Sequence, residues 1–194
     1  MTQSDAIPTQ QDQFVEANGL NMYYQEYGSG QPLILIHGGT VTSNMWQPFL
    51  PAFVPHFRVI TPDSRGHGKT NNPNDEQLSY RLMADDVAAF IQALNLTKPL
   101  VFGYSDGGQI ALEIGIRYPG LVGAIVLGAT TYKLSKTSIN TFKALGFVGF
   151  WIQDVVYTPP NNGTVVGRFV SIEGTGTNPG GNAGYSVLNI RLVE

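Results

Sequence analysis

One short run of this sequence combines the residue types that nucleophilic chemistry requires: residues 103–107 read Gly-Tyr-Ser-Asp-Gly. This G-x-S-x-G pattern is typical of a serine nucleophile on a tight turn between a strand and a helix. The run follows the apolar stretch 99–102 and precedes the helical pattern 109–118, which is the context that the motif requires. We therefore predict that Ser105 is a nucleophile and that the flanking glycines are small enough to permit the turn.

The same geometry predicts where an oxyanion would be stabilised. A helix that begins directly after Ser105 points its free N–H groups at the reacting carbonyl, so the backbone N–H of Asp106 is one predicted donor. A second donor is expected in the loop after the apolar run 32–36, where Gly39 can offer its backbone N–H. These residues together favour attack on an ester or similar carbonyl substrate through an acyl-enzyme.

Strand and helix patterns alternate around this motif. Apolar or alternating runs predict six strands, at 14–17, 20–27, 32–36, 57–61, 99–102 and 122–127. Helical spacing predicts three helices, at 45–53, 78–94 and 109–118. Asn18-Gly19 predicts a hairpin between the first two strands. The fold class that follows is α/β, with a mostly parallel sheet, helices on both faces and an N-terminal antiparallel hairpin.

Three runs are specific in combination: PLILIHGG at 32–39, VITPDSRGHG at 59–68 and GYSDGG at 103–108. Together they resemble the α/β-hydrolase superfamily, in particular its small esterases, C–C bond hydrolases and cofactor-free haloperoxidase-like enzymes. The resemblance extends from residue 13 to about 130 and implies no cofactor. It implies that His37 and Gly38 support the oxyanion loop, and that 63–68 is a structural loop near the site.

The resemblance also implies a triad in the chain order Ser, then Asp or Glu, then His, and this sequence departs from it. All three histidines precede Ser105, namely His37, His56 and His67. The family's sheet continues beyond the strand 122–127 by two strand–helix units, which need about 60 residues. Because 159–194 does not resemble those units, we expect that C-terminal strands are missing and that this chain turns over poorly.

Composition and resemblance together divide the chain into four segments. They are a flexible N-terminus at 1–12, the hydrolase core at 13–130, a partial lid at 131–158 and a Gly-rich tail at 159–194. The tail includes an apolar run at 165–172 that could form a strand, although the pattern does not place it in the sheet.

Composition narrows the classes of partner. The net charge of −3 provides no basic surface for nucleic acid, and the absence of cysteine excludes disulfides and thiol nucleophiles. No apolar run reaches the roughly 18 residues of a membrane span and no secretory leader is visible, so a cytoplasmic location is expected. The Asp85-Asp86 pair predicts a solvated helix face and not a metal site, and no metal is expected.

Two alternatives to a poorly active hydrolase remain open. The first is a non-catalytic protein that binds a small molecule on a hydrolase scaffold, with Trp46 and Tyr104 as candidates for the pocket lining. For most such aromatic residues, core packing is the more ordinary role. The second is a partner chain that supplies the remaining strands and a histidine, which would leave a sheet edge exposed for self-association. His67 is predicted to be a loop residue beside Arg65.

Overall fold

The computed structural model describes residues 12–130 and two later strands, 168–174 and 185–191. The strands are β1 (Gln13–Ala17), β2 (Leu20–Tyr27), β3 (Pro32–Ile36), β4 (Arg58–Pro62), β5 (Leu100–Tyr104), β6 (Ala124–Gly128), β7 (Arg168–Gly174) and β8 (Tyr185–Arg191). The helices are α1 (Leu50–Phe53), α2 (Tyr80–Ala93) and α3 (Asp106–Arg117), with a 3₁₀ helix at Ser43–Phe49. The predicted flexible N-terminus, except for residue 12, and the predicted lid lie outside the described residues.

The described strands form one sheet in the order β1-β2-β4-β3-β5-β6-β8-β7. The central strands β4, β3, β5 and β6 are parallel to their neighbours, and the hairpin β1–β2 joins β4 in antiparallel orientation. Only β2 and β8 run against the common direction among these eight strands. The predicted α/β fold class with a mostly parallel sheet is therefore confirmed.

The N-terminal hairpin turns at Asn18-Gly19, as the sequence predicts. Asn18 and Gly19 both have positive φ angles, of 49° and 73°, which a two-residue hairpin turn of this type requires. Asparagine and glycine are the residues that adopt this conformation at least cost. The turn sets the register in which Ala17 pairs with Leu20.

Each face of the sheet covers a separate core. Successive side chains of a strand point to opposite faces. Ile34 and Ile36 of β3 therefore pack in the larger cluster with α2 and α3, whereas Leu33 and Leu35 pack in the smaller cluster with Leu50 of α1. This confirms the predicted helices on both faces, and it explains why β3 is apolar throughout.

The predicted helix at 45–53 is instead a 3₁₀ helix followed by the single turn of α1. Pro48 and Pro51 explain the difference, because neither has the N–H group that a continuous α-helix needs. The prediction for Asp86 was also wrong: its side chain is 1% exposed, because it is paired with the buried Arg65.

The tail contributes two antiparallel strands to the sheet. β8 pairs with β6, and β7 pairs with β8 at the edge. The strand that the sequence suggested at 165–172 is thus present as β7, in a position that its pattern did not give. No strand–helix unit follows β6 among the described elements, in contrast to the continuation that the family resemblance implies.

None of the helices in the described part of the chain has the length and apolar character needed to cross a lipid bilayer.

Candidate active site

Ser105 lies at the junction of β5 and α3 in a backbone conformation that few non-glycine residues adopt. Its φ and ψ angles are 54° and −116°. The backbone N–H of Ser105 donates to the carbonyl of Gly128 at 2.8 Å, and its own carbonyl accepts from Gly108 N–H at 2.9 Å. Strained residues of this kind persist where the surroundings hold them, and they are frequent at functional sites. The geometry is that of a sharp strand-to-helix turn with a half-exposed serine.

The turn is possible because glycines surround it. A β-carbon at Gly103 would lie 2.0 Å from the carbonyl oxygen of Gly107, and one at Gly107 would lie 2.3 Å from the carbonyl oxygen of Ile36. At Gly108 it would lie 1.7 Å from Oγ1 of Thr130. The clashes at positions 103 and 107 are with backbone atoms and lie far below van der Waals contact, so α3 can pack against β3 and β5 only with glycine at these two positions. At Gly108 the neighbouring atom belongs to a side chain.

The loop after β3 lies beside the serine. β3 and β5 are parallel neighbours, with Ile36 paired to Gly103, so the segments that follow them emerge at the same sheet edge. A β-carbon at Gly38 would be 3.3 Å from Cβ of Ser105. The structure thus brings together the predicted nucleophile and the predicted oxyanion loop.

His37 determines which way this loop presents its peptide groups. Its Nδ1 lies 2.7 Å from the Gly38 carbonyl, and its Nε2 accepts the Ser64 N–H at 2.9 Å. Nε2 as acceptor leaves the proton on Nδ1, so Nδ1–H donates to Gly38. In a trans peptide the C=O and the following N–H point in opposite directions. The Gly39 N–H is therefore directed away from His37.

The protonation state of His37 follows from the same contacts. Burial lowers the pKa of His37, because the charged imidazolium would be desolvated. With both ring nitrogens engaged, this histidine cannot take a proton from Ser105 without losing a hydrogen bond. Its contacts fit the loop-supporting role that the resemblance implies.

The loop at 63–68 is held at three points. The carboxylate of Asp63 accepts the Ser43 N–H at 2.8 Å and the Lys69 N–H at 2.9 Å. Arg65 forms two hydrogen bonds with Asp86, at 2.7 and 2.8 Å, and both side chains are almost fully buried. These bonds fix Ser64, whose N–H in turn orients His37. The loop 63–68 therefore orients His37, which in turn contacts Gly38 of the predicted oxyanion loop.

Asp106 has a side-chain position that its motif did not predict. A β-carbon at Gly39 would lie only 2.0 Å from Oδ2 of Asp106, so the carboxylate covers the Gly39 backbone. Oδ1 accepts the hydroxyl of Tyr80 at 2.7 Å. Burial raises the pKa of Asp106, whereas the Tyr80 hydrogen bond and the nearby His67 act in the opposite sense. The sequence prediction used only the Asp106 N–H, which begins α3 and so has no acceptor within the helix.

Tyr80 is the site residue that sequence reasoning missed. It is buried at the first position of α2, and burial beside the Asp106 carboxylate raises the pKa of its hydroxyl. No spacing relation links it to residues 103–107, because the two segments meet only through packing of α2 on α3.

The other two histidines differ in position. His56 is exposed. The ring of His67 lies 5.1 Å from the ring of His37, and its Nδ1 is 2.9 Å from the Arg65 carbonyl. His67 is thus placed in the structural loop beside Arg65, as the sequence suggested.

The two aromatic candidates for a pocket lining also differ. Trp46 is 3% exposed and packs on Phe102 in the smaller core cluster, with ring centroids 5.1 Å apart. This is the core role that was expected for most such aromatics. Tyr104 is 38% exposed and lies close to Gly38, so it remains the better candidate for contact with a bound molecule.

Comparison with known proteins identifies the family of this fold. The model of the alpha/beta hydrolase fold family matches residues 31–172. A 2-hydroxy-6-oxo-6-(2'-aminophenyl)hexa-2,4-dienoic acid hydrolase of Metapseudomonas resinovorans is 38% identical over 120 residues, which are 60% of this chain and 41% of that protein. The chain thus spans well under half of that relative's length.

Two solved structures share the fold. A meta-cleavage product hydrolase from Pseudomonas fluorescens matches with a TM-score of 0.60 and 31% identity, over 64% of this chain and 47% of that one. An esterase from Exiguobacterium antarcticum matches with a TM-score of 0.62 and 28% identity, over 70% and 54%. Since the family model covers most of the sequence and the described strands have the matching architecture, the chain belongs to the α/β-hydrolase fold family.

Proposed function

We propose that this chain carries the nucleophile and oxyanion-binding part of a serine hydrolase that acts on an ester or a similar carbonyl compound. The observation that carries the proposal is the conformation of Ser105, held at positive φ on the strand-to-helix turn beside Gly38. Relatives whose names describe a dienoic acid hydrolase and an esterase are consistent with hydrolysis at a carbonyl carbon.

In the proposed reaction, Oγ of Ser105 forms a bond to the carbonyl carbon as its proton passes to a solvent water molecule. The carbonyl oxygen becomes an oxyanion that accepts hydrogen bonds from the N–H groups of Gly39 and Asp106. Collapse of this intermediate breaks the bond to the leaving group, which takes up a proton, and leaves an acyl-enzyme that water hydrolyses. His37 and Gly38 contribute by holding the Gly39 N–H in the required direction.

The proposed mechanism requires a base that takes the proton of Ser105. No histidine follows Ser105 in the sequence, and both ring nitrogens of His37 are already hydrogen-bonded. A serine hydroxyl without a base is a poor nucleophile. We therefore propose that this chain by itself acylates slowly, with the remaining rate supplied by the oxyanion donors and by binding.

Labelling with a fluorophosphonate probe tests both parts of the proposal. We expect slow labelling that disappears in Ser105→Ala and persists in the matched control Ser64→Ala. Imidazole in solution should accelerate the wild-type reaction, because it can replace the missing base. Labelling as rapid as that of a complete serine hydrolase would contradict the proposed lack of a base. Equal labelling of wild type and Ser105→Ala would contradict the assignment of the nucleophile.

A non-catalytic binding protein is the second candidate, and the exposed ring of Tyr104 beside Gly38 favours it as a contact for a bound molecule. This function requires the pocket but not the hydroxyl. It predicts small-molecule binding that Ser105→Ala leaves unchanged, together with no Ser105-dependent labelling even in the presence of imidazole.

A further inference from the structure

The Asp106 carboxylate adjoins the loop that the proposed mechanism uses to bind the oxyanion. Oδ2 covers the backbone of Gly39, whose N–H is one proposed oxyanion donor, and the Asp106 N–H is the other. Gly38, next in the same loop, adjoins Cβ of Ser105. An ionised carboxylate at this place acts on any charged group that a bound acyl compound carries near its carbonyl.

This carboxylate has hydrogen bonds and His67 nearby, but no ion pair with a lysine or arginine of the described segments. Tyr80 donates to Oδ1 at 2.7 Å, and the first turn of α3 stabilises an acidic side chain through the helix dipole. None of the lysine and arginine residues in the described segments forms an ion pair with Asp106. Arg65, a buried cation of the loop 63–68, has both ends of its guanidinium occupied by Asp86 and Glu76.

Neighbouring residues also hold the Asp106 carboxylate in this position. Any side chain at position 39 would displace the carboxylate, and the Tyr80 hydroxyl that anchors it is itself buried at the start of α2. A half-buried carboxylate with partial charge compensation gains more from a cation than a fully hydrated one does, since it has already lost part of its water.

We propose that Asp106 selects the substrate by charge: the acyl site favours compounds with a protonated amine close to the carbonyl and disfavours compounds with a carboxylate there. This inference rests on the proposed function, because it names the substrate class of the same site.

A binding experiment with three ligands of matched shape tests the proposal. N-benzylglycinamide is cationic, N-benzylacetamide is neutral, and N-benzylmalonamic acid is anionic. Their affinities for Ser105→Ala are measured by NMR titration in low-salt buffer, so that no covalent chemistry intervenes. We expect the cation to bind about tenfold more tightly than the neutral amide, and the anion to bind most weakly.

The decisive variant is Asp106→Asn in the same background, which keeps the backbone donor and an acceptor for Tyr80. It should abolish the charge preference. Glu16→Gln is the matched control, because it removes one exposed carboxylate on β1, four strands from β5. The control should retain the preference, which 0.5 M salt should reduce (Debye length about 4 Å).

Several outcomes would overturn the proposal: no preference in Ser105→Ala, an unchanged preference after Asp106→Asn, or no measurable binding of any ligand at millimolar concentration. Failure of the proposed function can be distinguished from failure of this charge selection, because the proposed function is tested by labelling of Ser105 and the selection by ligand affinity. Charge-selective binding without any Ser105-dependent labelling would leave the selectivity standing and refute the hydrolase.

Discussion

The carboxylate of Asp106 and the backbone of Gly39 are in direct contact: a β-carbon at position 39 would lie 2.0 Å from Oδ2 and 3.1 Å from Cγ. This contact joins the start of α3 to the loop after β3. It explains why position 39 of this loop is a glycine.

Gly39→Ala should therefore be destabilising in a way that depends on Asp106. We expect a loss of about 1–3 kcal/mol in the free energy of unfolding, because the new methyl group displaces the carboxylate. In an Asp106→Ala background the same change should cost at least about 1 kcal/mol less. Urea unfolding of the four proteins measures this coupling. Gly30→Ala, where a β-carbon meets no atom within 4 Å, should be additive with Asp106→Ala. Additivity at Gly39 as well would show that the contact is not formed.

Ser105→Gly should be more stable than Ser105→Ala. At φ 54° and ψ −116° a residue with a β-carbon is strained, at a cost of about 1–3 kcal/mol, whereas glycine is not. After allowance for the greater freedom of glycine in the unfolded chain, we expect a difference of about 1 kcal/mol in chemical denaturation. Ser43, in the 3₁₀ helix, provides the matched pair, and there the order should reverse in favour of alanine. The same order at both positions would argue against strain in the strand-to-helix turn at Ser105 (the elbow).

Stability should fall as the pH is lowered through the titration range of a buried histidine. Burial lowers the pKa of His37 below its ordinary value of 6.5, so the unfolded chain binds a proton more readily than the folded one. The contribution of neutral His37 is complete above pH 6.5 and is lost as the pH falls towards the folded value. His37→Gln should be less stable at pH 7.5 but show a flatter dependence between pH 7.5 and 5.5. Equal flattening in the exposed control His56→Gln would contradict this assignment.

The adjacent acids of α2 should differ sharply in importance. Asp86→Asn removes the buried carboxylate partner of Arg65 and leaves only the exposed Glu76 to pair with this buried cation, so we expect a loss of about 3–5 kcal/mol. Asp85→Asn removes a half-exposed ion pair with Arg117 and should cost about 0–1 kcal/mol. Thermal and urea unfolding of the two variants compare the same chemical change at neighbouring positions. Similar losses would mean that the Arg65 pair is not buried in solution.

The sequence by itself determined the framework. Apolar runs predict β3 and β5, the G-x-S-x-G pattern predicts the turn at Ser105, and Asn18-Gly19 predicts the hairpin. These features depend on local backbone preferences and on the period of the apolar residues, so a single strand or turn carries enough information to reveal them. The glycines of the elbow were recognisable for the same reason.

Only the tertiary structure decided how the elements meet. The burial of Asp86 depends on Arg65 from a distant loop, and the place of Asp106 depends on Tyr80 and Gly39, which belong to two other segments. Contacts between residues so far apart in the chain leave no periodic pattern, because each is set by packing and by the need to pair buried polar groups. The nucleophile could therefore be predicted from the sequence, whereas the carboxylate beside it could be assigned a role only after folding had brought it to Gly39.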